Sequence, residues 1–260
     1  VVGEALPATL WRSLANALLC LLATACASRS PPPAFGTPTQ AEWTLARQRL
    51  LGLRAAQPQR PFVENVRVVL HEPRSGRTFE ARGAVAVDPH KAMRMILVGP
   101  GGATALDAWT TPERWRVAIP ALGQVRRGRG PDDALPIGFF RWWFLAPFDG
   151  RLLTARAKPG STILVLRQGS ATITMLQEEE RGRDAEQVQA GLASRREGKS
   201  LDRLAWLGHH SYPGPGDSAL YEQPSTGLHI QVEVESVSED APDPEAFEDP
   251  DRSSPAGARP

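Results

Sequence analysis

The chain has 260 residues, 41% of them hydrophobic, with 30 Lys and Arg against 29 Asp and Glu and a formal net charge of +1. That is room for one globular domain with tails, and so even a balance excludes the basic face of a nucleic-acid binder. Its 2 cysteines are Cys20 and Cys26, so the remainder can build neither a disulfide framework nor a cysteine-based zinc site.

Arg12 precedes an uncharged apolar run, Ser13 to Ala25 (SLANALLCLLATA). A helix of that length rises only ~20 Å, short of a bilayer core of roughly 30 Å. The run therefore reads as the core of an export signal over residues 1–25. It ends in Leu22-Ala23-Thr24-Ala25-Cys26, with small residues where a signal protease binds. This resembles the lipobox of bacterial lipoproteins, shifted in that Ala23 stands three places before the cysteine and Leu22 one place earlier. The resemblance implies an N-acyl diacylglycerol on Cys26 and no other cofactor. Cys20, behind the bulky Leu18-Leu19, is the poorer acceptor. Ala27-Ser28 carry no acidic residue of the kind that retains lipoproteins at the inner membrane, so an anchor in the outer membrane, facing the periplasm, is expected. Residues 26–38 then form the lipidated cysteine and a Pro-rich tether, with Ser30 to Pro38 reading SPPPAFGTP.

Thr39-Gln40-Ala41-Glu42 is a capping-box pattern. It opens a predicted helix to Ala56 whose apolar stripe is Trp43, Ala46, Leu50 and Leu53. From Pro61 the apolar residues alternate. Strands are predicted over Phe62–Leu70, Thr78–Asp88, Ala92–Val98, Ala103–Thr110 and Glu113–Ile119, with turn chemistry at Pro73–Gly76 and Gly99–Gly102 and no helical crossover: an antiparallel meander. Arg126 to Asp133 reads as a charged loop. Pro136 to Pro147 (PIGFFRWWFLAP) interrupts the strands as a short aromatic helix. Strands resume at Arg151–Ala155, Ser161–Gln168 and Ala171–Gln177, are weaker at Leu201–Leu207 and Ser218–Glu222, and end with the clean alternation of Leu228–Val237. Residues 238–260, acidic and Pro-rich, read as a disordered tail. A sheet this long must bury one face. The expected fold is mainly β (α+β): a curved antiparallel sheet over 39–237, forming an incomplete barrel whose helices cover the concave face.

Within that order, Gly83 to Val87, Met93-Arg94-Met95-Ile96-Leu97-Val98 before Gly99-Pro100-Gly101-Gly102, and Ala105-Leu106-Asp107-Ala108-Trp109 resemble the LolB-like and LolA-like outer-membrane lipoprotein superfamily. The resemblance spans roughly Trp43 to Ala155. It implies a half-barrel around an apolar cavity that binds acyl chains of lipoproteins or other lipids at the envelope. LolB itself carries an exposed apolar residue on a sheet loop, and the Gly99–Gly102 turn has none.

Phe139, Phe140, Trp142, Trp143 and Phe144 are the candidate plug of such a cavity, since aromatic rings supply large area at low entropy cost. Fixed core is the alternative reading. Trp142 and Trp143 are adjacent, so on one helix both cannot face inward. Met95, Trp109 and Trp115 are candidate cavity-lining residues and Arg94 a candidate for a lipid headgroup; ordinary packing and solvent-facing strand positions compete with these roles. His209-His210 lacks metal-ligand spacing, and no hydrolase motif is present, so no metal site and no enzymatic activity are expected. The expected partners are a membrane lipid or a lipoprotein acyl chain, the membrane through the anchor, and an envelope protein. The alternative is a scaffold lipoprotein with a packed core that docks a protein.

Overall fold

A computed structural model describes residues 37–73, 75–129, 137–181, 187–198, 200–208, 214–238 and 240–251. Cys26, the export signal, most of the tether, Asp132-Asp133 and His209-His210 lie outside them. Pro38–Pro260 is a compact unit with a core of its own, the property that lets a domain fold alone.

Helix α1 (Gln40–Ala55) starts at the predicted cap. The Thr39 hydroxyl accepts from the Glu42 N–H, and the Glu42 carboxylate accepts from the Thr39 N–H at 2.9 Å. Ala46, Leu50 and Leu53 are buried and join the main core. Arg54 closes the helix against the carbonyls of Phe148 and Gly150.

Thirteen strands follow: β1 (Phe62–Glu72), β2 (Arg77–Asp88), β3 (Ala92–Val98), β4 (Thr104–Thr110), β5 (Arg114–Ile119), β6 (Gln124–Arg129), β7 (Arg151–Lys158), β8 (Ser161–Gln168), β9 (Ala171–Arg181), β10 (Gln187–Glu197), β11 (Ser200–Gly208), β12 (Ser218–Gln223) and β13 (Leu228–Ser238). They make one antiparallel sheet in the order β6-β5-β4-β3-β2-β1-β13-β12-β11-β10-β9-β8-β7. Two meanders are thus welded where β1 pairs with β13. The sheet is not closed: β6 and β7, neighbours in sequence, are its two free edges.

The order of strands shows that the sheet wraps. Strands β4 and β10 are seven places apart, which at about 4.8 Å per strand is more than 30 Å in a flat sheet. Yet Arg141 donates to Thr110 of β4 and also feels the charges of Arg195 and Glu197 on β10. One face of the sheet therefore curls around a single core, to which every strand except β6 contributes. Helix α1 packs along β7 and β8. The mainly β, incomplete-barrel architecture expected from the sequence is the one observed.

Three differences have physical causes. Strand β6 (QVRRGR) carries three arginines and reads as loop, but its backbone pairs with β5 throughout. Strand β10 (QVQAGLASRRE) shows no apolar alternation because its inward positions are Gly191, Ala193, Arg195 and Glu197. The third difference is the tail. Residues 240–251 do not hang free: Pro244–Phe247 forms a 3-10 turn, and the segment lies across the outer face of the sheet. Its composition predicts disorder because the counter-charges and the aromatic surface that hold it belong to β4, β5 and β6.

At Gly83 the backbones of β2 and β3 come so close that an added Cβ would sit 1.9 Å from the Ile96 carbonyl oxygen. A strand backbone cannot swing aside as a side chain can. Gly83→Ala is expected to destabilise the unit by about 3 kcal/mol, read as a lower urea midpoint with an unchanged slope.

Candidate functional site

The two free edges are joined through residues 130–150, and this connection carries the aromatic helix. Ile137–Phe139 forms a helical turn that runs into a π-helical stretch, Phe140–Leu145. The segment sits inside the curl of the sheet, against β2 and β3 on one side and β11 and β12 on the other. Phe139 stacks on Tyr221 of β12, ring centroids 4.7 Å apart, and also meets Phe140 and Phe144. The Trp142 indole N–H donates to the Pro147 carbonyl at 2.9 Å. Trp143 packs against Trp206 of β11 at 6.0 Å. Both tryptophans are buried, Trp142 at 1% and Trp143 at 7% exposure. Their adjacency allows two outcomes, one ring exposed or one ring against another surface; neither ring is exposed, and Trp143 lies against Trp206 of β11. A surface helix has one buried side, but this one lies inside the curl of the sheet, which buries rings on more than one side of it.

Polar contacts hold the segment at several points. Arg141 Nε donates to Thr110 Oγ1, the His90 N–H to the Leu145 carbonyl, and Gln168 Nε2 to the Ala146 carbonyl. The Trp143 indole nitrogen is buried with no hydrogen-bond partner among the described residues. Leaving such a donor unpaired costs about 1–3 kcal/mol.

Below the first turn lies a charged cluster on the inward face of β10–β12. Asp202 accepts from the Tyr221 hydroxyl at 2.8 Å and pairs with Arg195, which also pairs with Glu197. Burial raises the Asp202 carboxyl, against the opposing pull of Tyr221 and Arg195, and raises the Tyr221 hydroxyl still more strongly. Gly138 fits directly over this cluster: a Cβ there would lie 2.7 Å from Arg195 Nη1 and 2.8 Å from Asp202 Oδ2. Sequence reading missed all four cluster residues. Charges in a poorly alternating strand look like solvent-facing ones. The signal that could have found them is the mismatch between three charges in Arg195–Glu197 and the strand pairing on both sides.

A second acid is buried near the start of β1. Glu64 is inward-facing between Phe62 and Val66, fully buried, and neither carboxylate oxygen has a hydrogen-bond partner among the described residues. Its carboxyl is pushed up to about 8, first by burial and then by the charge of Asp217. Asp217 is itself buried and accepts from the Gly214 N–H.

No family model matches the chain, and no curated protein matches it in sequence. Solved structures similar to it include a LolA superfamily protein from Nitrosomonas europaea, 12% identical over 78% of this chain and 97% of that one, with a TM-score of 0.47. A DUF1329 family protein from Desulfovibrio piger is 14% identical over 82% and 98% of the two chains, TM-score 0.47. A domain from Vibrio parahaemolyticus, described as an outer membrane lipoprotein-sorting protein domain, is 10% identical over 80% and 97%, TM-score 0.40.

The remaining candidates divide between the two faces of the sheet. Met95 and Trp115 point inward and belong to the core, with Trp115 lying over Gly128. Trp109 and Arg94 do not. Trp109 is buried but lies on the outer face, its indole N–H donating to the Phe247 carbonyl beneath the 240–251 segment. Arg94 is its cross-strand neighbour and makes a two-pronged pair with Asp107, which Arg116 also engages. Neither lines the interior, so their assignment to a lipid cavity and its headgroup is corrected. Alternation assigns a face only relative to its neighbours, and both faces of β4 are covered. His90 pairs with Asp149 at 2.9 Å, and His71 lies beside Thr78 and His229. Among the described residues no group of three or more His, Cys, Asp or Glu could hold a metal ion, and no helix is long and apolar enough to cross a membrane.

The curl of the sheet thus holds the aromatic segment in a core shared with α1, with a charged cluster on β10–β12 beneath its first turn.

Proposed function

We propose that this protein binds an acyl chain or lipid in the groove now filled by Phe139–Leu145, as a non-enzymatic lipoprotein anchored at the cell envelope through Cys26. One observation carries the reading. The interior of the curled sheet is packed by a segment that is separate from the strands and joins its two free edges. Withdrawn, a helix of ~10–12 Å diameter leaves a channel walled by Val85, Val87, Met93, Met95, Leu204 and Tyr221, all of them core residues. Methionine adapts to irregular apolar shapes, and the channel width suits one or two acyl chains. A lid of this kind competes with its ligand, so ligand affinity is reduced by the fraction of time the lid is seated. Two features favour a second position for the segment: the π turn, a geometry that recurs at functional sites, and the unsatisfied Trp143 nitrogen.

The test is titration of residues 38–260 with a dansylated fatty acid, beside Gly138→Val. A valine side chain there crowds the paired Arg195 and Asp202, which weakens the seat of the first turn without removing apolar surface. The variant is expected to bind the probe about tenfold more tightly than the parent, the effect of weakening the lid by ~1.4 kcal/mol. A parent and variant that are both folded by circular dichroism and both fail to take up the probe would turn the reading to a scaffold with a solid core.

A further inference from the structure

The outer face of β3–β6 is unlike the rest of the sheet. Register places Arg94, Ile96 and Val98 of β3, Asp107 and Trp109 of β4, Arg114, Arg116 and Ala118 of β5, and Val125, Arg127 and Arg129 of β6 on this one side. Cations and apolar residues therefore interleave. Ile96, Val98 and Val125 are exposed, and Leu122, at the β5–β6 turn, is 64% exposed. Without the C-terminal segment the face would set five arginines against the single carboxylate of Asp107.

The segment 240–251 supplies the missing negative charge. Asp249 pairs with Arg114 at 3.1 Å; Asp251 pairs with Arg116 at 3.2 Å and with Arg127. The spacing matches: Asp249 and Asp251 are two residues apart, as are Arg114 and Arg116 on the strand beneath. These pairs hold the Asp251 carboxyl below its ordinary range, Arg127 being the main cause. The Phe247 carbonyl caps the Trp109 indole N–H, and the Arg114 guanidinium lies 5.6 Å from that ring's centre. Each ion pair keeps one partner a third or more exposed, where ion pairs are individually weak and screened by salt. Such a cover exchanges readily for a stronger anionic surface.

We propose that this face is a docking surface for an anionic phospholipid membrane, and that residues 240–251 occupy it as an internal stand-in until the membrane displaces them. Arginine beside an indole is the pairing found at membrane interfaces, where the ring sits at headgroup level and the guanidinium meets phosphate. The exposed Ile96, Val98, Leu122 and Val125 favour a lipid surface over an acidic peptide, because a peptide satisfying the arginines leaves them in water. The proposal does not depend on the interior groove.

The test uses residues 38–260, which lack the anchor, with vesicles of phosphatidylcholine alone and with phosphatidylglycerol added. Two variants release the cover: D249N/D251N, and a chain ending at Ser238. Each is expected to sediment with anionic vesicles at least ~10-fold more than the parent, since each freed basic residue contributes about 1 kcal/mol at such a surface. The gain should vanish with neutral vesicles, in 0.5 M salt, where the Debye length falls to roughly 4 Å, and when R114Q/R127Q is added. A chain ending at Ser238 that is folded and binds no better than the parent overturns the proposal. So does equal binding to neutral vesicles. So does a released face that captures an acidic peptide of the 240–251 sequence while ignoring vesicles, an outcome that makes it a protein-docking surface.

Discussion

Residues 38–260 should lose stability as pH rises from about 4.5 to 8, and Glu64→Gln should abolish most of that loss. The Glu64 carboxyl titrates near 4.5 in the unfolded chain but is pushed up to about 8 when folded. Between those values the unfolded state has already released its proton while the folded state still holds it. The unfolded state thus binds fewer protons, and stability falls with pH across that window and is level on either side. Burial supplies the larger part of the cost and the charge of Asp217 the rest. The drop is about 5 kcal/mol, large beside the 5–15 or so kcal/mol that holds a typical domain together. Glutamine keeps the shape and cannot ionise, so the variant should be the more stable protein at pH 8. Urea midpoints at pH 5 and pH 8 for both chains check this. A parent whose midpoint is the same at the two values, or a variant that tracks it, would show that Glu64 keeps its charge by some path through the fold.

Trp142→Ala is expected to be the most damaging single truncation in the aromatic segment. Trp142 is the largest fully buried side chain, and its indole N–H satisfies the Pro147 carbonyl. Truncation forfeits the buried area, leaves a cavity and orphans that carbonyl, at a cost of about 3–5 kcal/mol. For a unit of this size the melting temperature should fall by roughly 10 °C. Leu122→Ala, on an exposed turn, serves as the contrast and should stay within about 0.5 kcal/mol of the parent. A near-neutral Trp142→Ala would mean the segment spends much of its time out of the groove. That result would weaken the idea of a packed interior and strengthen that of a mobile lid.

Much of the architecture was legible in local pattern. The capping box at Thr39–Glu42 and the stripe Ala46, Leu50, Leu53 specify α1, because both depend on residues three and four apart. Strands such as Ala92–Val98 and Ser161–Gln168 appear at their predicted bounds, since one face of each is apolar and the other is not. The aromatic segment announced itself by composition between prolines. Strands β6 and β10 did not, because their side chains are chosen for what lies across from them: Gly128 leaves room for Trp115, Gly191 for Trp206, and Arg195 for Asp202.

The sequence by itself thus determined that the chain is mainly β, that it meanders, where the helix begins, and that five rings gather between the two runs of strands. These are properties of near neighbours, and periodicity reports them. Only the tertiary structure decided which face each residue serves. Trp109 and Trp115 look alike along the chain, yet one lies under an acidic strap and the other in the core. Trp142 and Trp143 are both buried because the sheet wraps around their helix, and Asp249 and Asp251 are ordered because arginines more than 120 residues earlier in the chain stand beneath them. Wrapping a sheet brings together residues that share no local signal, and the free energy of those contacts belongs to the pair rather than to either partner.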